Sequence, residues 1–311
     1  MKLSAKQLKA VTLGVGTVLM MGAGQAAFAH ASILNAINSG GTGFSRVGVN
    51  HAVNHTTPPT PVVAQSVVFP TVNPILGRTG VGASVSNLGD FFSTSAAGAN
   101  TTGLLPWVSV AGAPQLVQSK DVFSQQIEQA NASNQTIGWV STKGLLQVNL
   151  HGEVPFRFAA PHFRSILPAA NPNALTTADL CADKLVIAVA VADISKPTPQ
   201  PPFVAANPAG LPGSETAGIG YNLWLDNTTP GLATSAFPPQ VTENGAATTN
   251  LTINRDPVVN PYPANCVPAG GTNPVFTITV KPSADDINAL QFPGWGVGIT
   301  PAAGANGNMF R

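Results

Sequence analysis

The sequence predicts a mainly β fold, an antiparallel β-sandwich with long Pro-, Gly- and Asn-rich loops and one or two short helices. Short runs that alternate or are rich in β-branched residues recur through its second half. The segments between them, 56–80, 195–220 and 227–247, are dense in Pro, Gly, Asn and Thr and read as long surface loops. Helical periodicity is rare, and strands joined by loops rather than helices favour an antiparallel sandwich over a parallel α/β sheet.

The first element is not part of the fold. Lys2, Lys6 and Lys9 form a basic start, an uncharged apolar stretch follows from Ala10 to Gly24, and Ala27-Phe28-Ala29 supplies small residues around a cleavage point. The apolar run falls short of the roughly 20 residues of a membrane span. Residues 1–29 are therefore expected to be a cleaved signal peptide, and 30–311 a single secreted domain with a loop-rich insert near 195–247. Export implies an extracellular or periplasmic location. No second stretch reaches spanning length, so no transmembrane segment is expected after processing.

Within the mature chain, Val122–Ala130 carries Phe123, Ile127 and Ala130 at helical spacing behind Asp121, which suits an N-cap, and predicts a helix. Leu145–Leu150 alternates and predicts a strand; Lys184–Ala192 is a run of Val, Ile, Leu and Ala and predicts a buried one. Tyr221–Leu225, Thr248–Asn254 and Val275–Val280 follow as strands, Ser283–Leu290 as a turn of helix, and Trp295–Ile299 as the last strand. Asp285 and Asp286 read as a solvated pair capping that turn.

Removing 1–29 takes away three lysines and no acid, leaving 11 basic against 13 acidic residues and a net charge of −2. That excludes nucleic acid as a partner, since phosphate neutralisation needs clustered Lys and Arg. Charged residues make up only 9% of the chain, too few for a charge-driven disordered polymer. Cys181 and Cys266 both follow the leader, and an exported chain meets an oxidising compartment, so they are expected to pair. The disulfide would close a loop of 85 residues, worth about 4–5 kcal/mol in the chain-entropy account.

Five histidines carry the chemistry: His30, His51, His55, His151 and His162. Cleavage after Ala29 makes His30 the first residue, which then offers two nitrogens, its α-amine and ring Nδ1. A third from a distant histidine completes a T-shaped set that suits Cu(II), and the amine, with a pKa near 8, yields its proton to copper at neutral pH. His151, at the end of the expected Leu145–Leu150 strand, is the first choice of partner, and His162 is the alternative metal ligand. His51 and His55 run into Pro58-Pro59 and read as exposed loop residues rather than a helical pair. There is no Gly-x-Ser-x-Gly, P-loop or dinucleotide fingerprint. A glycosidase needs two positioned carboxylates, and Glu153 and Asp193 are candidates only in that the chain has few acids.

Several segments carry a resemblance. The mature start, His30-Ala-Ser-Ile-Leu-Asn-Ala-Ile-Asn-Ser-Gly-Gly-Thr-Gly-Phe-Ser-Arg-Val-Gly-Val-Asn50, resembles that of the egh-type secreted virulence factors of fungal appressoria. Gly77-Arg78-Thr79 and Gly144-Leu-Leu-Gln-Val-Asn-Leu-His151 are similar to that family's Gly-Arg-Thr and to its strand ending in His. Cys266 with Gly270–Asn273, the 275–280 strand, and Gln291–Gly296 are similar to its C-terminal region. The family's Asp-Gly-Ala-Gly-Pro-Tyr is replaced by Gly152–Phe156, its extra cysteines are missing, and 195–247 has no counterpart.

The family is related to the lytic polysaccharide monooxygenases, so the resemblance implies an immunoglobulin-like sandwich with a copper histidine brace. His30 would be the amine and imidazole ligand, His151 the second imidazole, and Phe292 the aromatic near the axial position. The implied function is a secreted copper-binding protein acting at a cell wall or extracellular polysaccharide, with a copper-dependent, monooxygenase-like oxidation as its activity if it is catalytic. The competing expectation, from low charge and long polar loops, is a non-catalytic envelope, surface-layer or adhesion protein.

Overall fold

The computed structural model describes residues 31–49, 61–80, 82, 84–93, 114–130, 134–195, 220–224, 242–243, 249–283 and 286. In chain order the strands within them are β1 (Ile33–Leu34), β2 (Ile37–Asn38), β3 (Thr42–Val49), β4 (Val62–Val68), β5 (Ile75–Arg78), β6 (Phe92–Ser93), β7 (Gln115–Leu116), β8 (Phe123–Ala130) and β9 (Thr136–Gly144). They continue as β10 (Gly152–Ala159), β11 (His162–Phe163), β12 (Ala182–Ala188), β13 (Ala190–Ser195), β14 (Gly220–Trp224), β15 (Thr242–Glu243), β16 (Asn250–Asn254) and β17 (Phe276–Lys281). Short 3-10 turns cover Leu88–Asp90, Thr177–Leu180 and Val267–Ala269.

The chain is mainly β, as its sequence predicts. The strands form four sheets, in the orders β1-β3-β10-β7, β11-β6, β2-β16-β12-β17-β5 and β15-β14-β13-β4-β9-β8. Pairing is mostly antiparallel, with parallel pairs at β12–β17, β16–β2 and β14–β15. Val47 and Val49 of β3, Val154 and Phe156 of β10, Val67, Trp139 and Val191 of the six-stranded sheet, and Leu185, Ile253 and Ile278 of the five-stranded sheet share one apolar core. That arrangement is consistent with a β-sandwich.

The periodicity explains which strands face it. β16 and β17 bury every second residue, so Leu251, Ile253, Phe276, Ile278 and Val280 point inward while the threonines between them do not. Phe69, Trp139 and Phe156 form a triangle with ring centroids 5.2–5.9 Å apart, tying the six-stranded to the four-stranded sheet. Burying each such ring contributes about 2–3 kcal/mol. At Gly138, φ is +156° and a Cβ would stand 2.0 Å from the Val67 carbonyl oxygen, so β4 and β9 approach each other only with glycine there.

Cys181 and Cys266 form the expected disulfide, both fully buried. It joins the start of β12 to the loop after β16. The same loop is fixed by Arg255, which is 5% exposed. Its guanidinium donates to the carbonyl oxygens of Leu180, Ala182, Arg164, Asn260 and Pro261, and to Ser165 Oγ, at 2.8–3.1 Å. Burial pulls its pKa down to about 10, which still leaves it charged at neutral pH. Tyr262 lies under it, 4.6 Å from guanidinium to ring centroid, and donates to Asp183.

Four local expectations are corrected. Val122–Ala130 is not a helix: Phe123–Ala130 is β8, paired with β9 from Phe123↔Gly144 to Ala130↔Thr136. Its apolar spacing suits either structure, and the ladder to β9 decides. Asp121 caps no helix; its N–H donates to Ser119 Oγ. Leu145–Leu150 is not a strand. Only Leu146 pairs, with Val62, and Leu150 N–H closes a turn on the Gln147 carbonyl. The turn leaves Leu145, Val148 and Leu150 exposed, so their alternation never meets a core. The 56–80 stretch, expected to be a loop, contains β4 and β5. Asp286 is not solvated but fully buried, its carboxylate accepting from the N–H groups of Val72, Asn73 and Ser283 and from Ser283 Oγ. Burial raises its pKa against those four bonds. Trp295–Ile299 lies outside the described residues.

Candidate functional site

The site is built on the outer face of the four-stranded sheet. β3 lies between β1 and β10, with Ile33 opposite Val47 on one side and Glu153 opposite Gly48 on the other. Gly48 N–H donates 2.7 Å to the Ser32 carbonyl, carrying the β1 pairing one residue further toward the start of the chain. Val47, Val49 and Val154 point into the core, so Ser32, Gly48 and Glu153 belong to the opposite, outward face. His151, two residues before Glu153, shares it.

Gly48 is where these side chains meet. A Cβ there would stand 2.9 Å from Ser32 Oγ and 3.1 Å from His151 Cε1, so the ring and the hydroxyl close over bare backbone. His151 precedes β10 rather than ending the strand expected before it, and its side chain is 51% exposed. Its Nε2 lies 4.0 Å from Glu153 Oε1. Glu153 Oε2 in turn accepts from Arg46 Nη1 at 2.6 Å, an exposed pair worth at most about 1 kcal/mol to stability.

The other predicted residues fall elsewhere. His162 lies past the opposite end of β10 from His151, in β11. There its ring packs against Gly40, and its Nδ1 stands 3.1 Å from Asn260 Nδ2. Burial lowers its pKa, so the neutral ring that accepts from the amide is the favoured form. The structure thus does not bring His151 and His162 together. Glu153 and Asp193 are not a pair either: Asp193 is fully buried in β13, where Gln65 Nε2 donates to it at 2.8 Å. His30, His51, His55 and Phe292 lie outside the described residues. Among the described residues, no three His, Cys, Asp or Glu side chains converge as a metal-binding group, and no helix is long and apolar enough to cross a membrane.

No family model, curated protein or solved structure matches the chain. Sequence reasoning names His151 in the site over Gly48 but misses Ser32, Arg46 and Gly48, and assigns Glu153 to a different chemistry. The available signal was the alternation Arg46-Val47-Gly48-Val49, in which inward valines turn residues 46 and 48 outward.

Proposed function

We propose that the processed chain is a secreted copper-binding protein acting at a cell wall or extracellular polysaccharide. Its ligands are the α-amine and ring of His30 and the ring of His151. The observation that carries this reading is the meeting of Ser32 and His151 over Gly48. His30 is joined to Ser32 through Ala31 alone, so the start of the mature chain enters the fold beside the one described histidine on this face. The same observation favours His151 over His162 as its partner.

Two further features support the reading. His151 is half exposed and can take up a metal without unpacking the core. The buried Cys181–Cys266 disulfide suits an exported protein. The donor set of two imidazoles and one amine fits Cu(II) better than the harder cations. Copper bound there supplies one-electron chemistry toward dioxygen or peroxide, the chemistry a glycan C–H oxidation requires. What this chain contributes is orientation: the registers of β1, β3 and β10 put Ser32, His151 and Glu153 on one face, with Arg46 paired to Glu153.

Mass spectrometry of the exported protein tests the premise, with an N-terminus at His30 expected. Cu(II) titration of that protein is expected to give one tight equivalent, lost in His151→Ala and in a protein with one residue added before His30. A different N-terminus, or unchanged affinity in both variants, would overturn the proposal and leave a non-catalytic surface protein as the better account.

A further inference from the structure

We infer that Glu153 is a protein donor to the same cation as His151, making the site over Gly48 a mixed nitrogen–oxygen site. The inference shares His151 with the proposed function but does not depend on His30. Its basis is the geometry of two side chains on one strand face. His151 Nε2 and Glu153 Oε1 stand 4.0 Å apart, too far for a hydrogen bond. Two ligands that each sit about 2.0–2.2 Å from one ion lie about 2.9–3.5 Å apart at the angles of square-planar or tetrahedral sites, so a small rotation of either exposed side chain closes the 4.0 Å gap onto one cation.

The surroundings favour that use of Oε1. Oε2 is engaged by Arg46 at 2.6 Å, which fixes the carboxylate plane and leaves Oε1 as the oxygen directed at the ring. Metal ligands are commonly held in this way by an outer partner. The bare backbone of Gly48 lets the His151 ring lie close to the sheet, beside Ser32 Oγ. Both donors are partly exposed, 51% for His151 and 34% for Glu153, so an ion reaches them from solvent. An imidazole with a carboxylate suits a borderline divalent cation, Cu(II) or Zn(II), rather than Ca(II), which prefers an all-oxygen shell.

The test uses the full mature protein and the same protein with one residue added before His30. Each is made as wild type, Glu153→Gln and Arg46→Met, and titrated with Cu(II) and with Zn(II) by calorimetry. Electron paramagnetic resonance of the Cu(II) forms gives a second readout. Glu153→Gln is close to isosteric at a surface position and is expected to weaken both metals about tenfold or more in the mature protein, and to weaken whatever binding remains in the extended one. It should also shift the Cu(II) spectrum toward fewer oxygen donors. Arg46→Met, which frees the carboxylate without removing it, is expected to cost less. Unchanged affinity and spectrum in Glu153→Gln would overturn the inference, even if the added residue abolishes tight binding and so upholds the role of His30. Conversely, binding that survives the added residue but is lost in Glu153→Gln and His151→Ala supports the inference while defeating the His30 reading.

Discussion

Replacing Arg255 by Met tests whether one buried cation holds the disulfide-bearing loop to the sheets. The guanidinium serves five carbonyl oxygens from three separate segments, 164, 180–182 and 260–261, and all but the bond to Pro261 are enclosed. Methionine fills most of the volume but donates nothing. At about 1–1.5 kcal/mol for each enclosed carbonyl left without a donor, the loss comes to about 4–6 kcal/mol. That is comparable with the whole stability of a marginal domain, about 5–15 kcal/mol. Arg255→Lys keeps the charge, but its three donors radiate from one point and cannot span three segments, so a loss of about 2–3 kcal/mol is expected. Urea unfolding followed by tryptophan fluorescence, with the disulfide oxidised and equal slopes for all variants, measures both values. A Met variant within about 1 kcal/mol of wild type would show that water or neighbouring groups satisfy those carbonyls, and the reasoning would fail.

Reduction of Cys181–Cys266, which closes a loop of 85 residues, is expected to lower the urea midpoint by an amount equivalent to about 4–5 kcal/mol. Gly138→Ala places a methyl group against the Val67 carbonyl and is expected to cost more than about 3 kcal/mol, or to prevent folding, by the same assay. His162 has a folded pKa below its ordinary value of 6.5, so the unfolded chain binds the proton more readily. Stability from this residue is full above 6.5 and falls as the pH drops toward the lower folded value. His162→Asn is expected to flatten that part of a pH–stability profile; an unchanged slope would show that another group controls it. Gly48→Ala is expected to leave the fold intact but to displace the His151 ring, seen as a changed imidazole resonance and weaker Cu(II) binding.

The sequence was most readable where one strand face is apolar and the other polar. Val275–Val280 and Thr248–Asn254 correspond to β17 and β16 within two residues, because their alternation is the alternation of core and solvent. The Lys184–Ala192 run is split at Val189 into β12 and β13, which join different sheets, a change of partner that hydrophobicity alone does not mark. β3 and β10 lack a local strand pattern, each for its own reason. β3 carries Gly43 and Gly48, which read as turn residues, and β10 carries Pro155, which reads as a break. Both persist because they pair with each other over eight consecutive positions, and that ladder outweighs local preference. The candidate site lies on this missed pair. His151 was legible by residue type, whereas Ser32 carries no signal of its own. Their meeting depends on the registers β1–β3 and β3–β10, which bring together residues 32, 48 and 151–153. No local pattern encodes such a register; the buried valines 47, 49 and 154 do, by fixing which face turns outward. The outward surface is therefore a consequence of core packing, and His151 and Glu153 face the same solvent because Val154 faces the core.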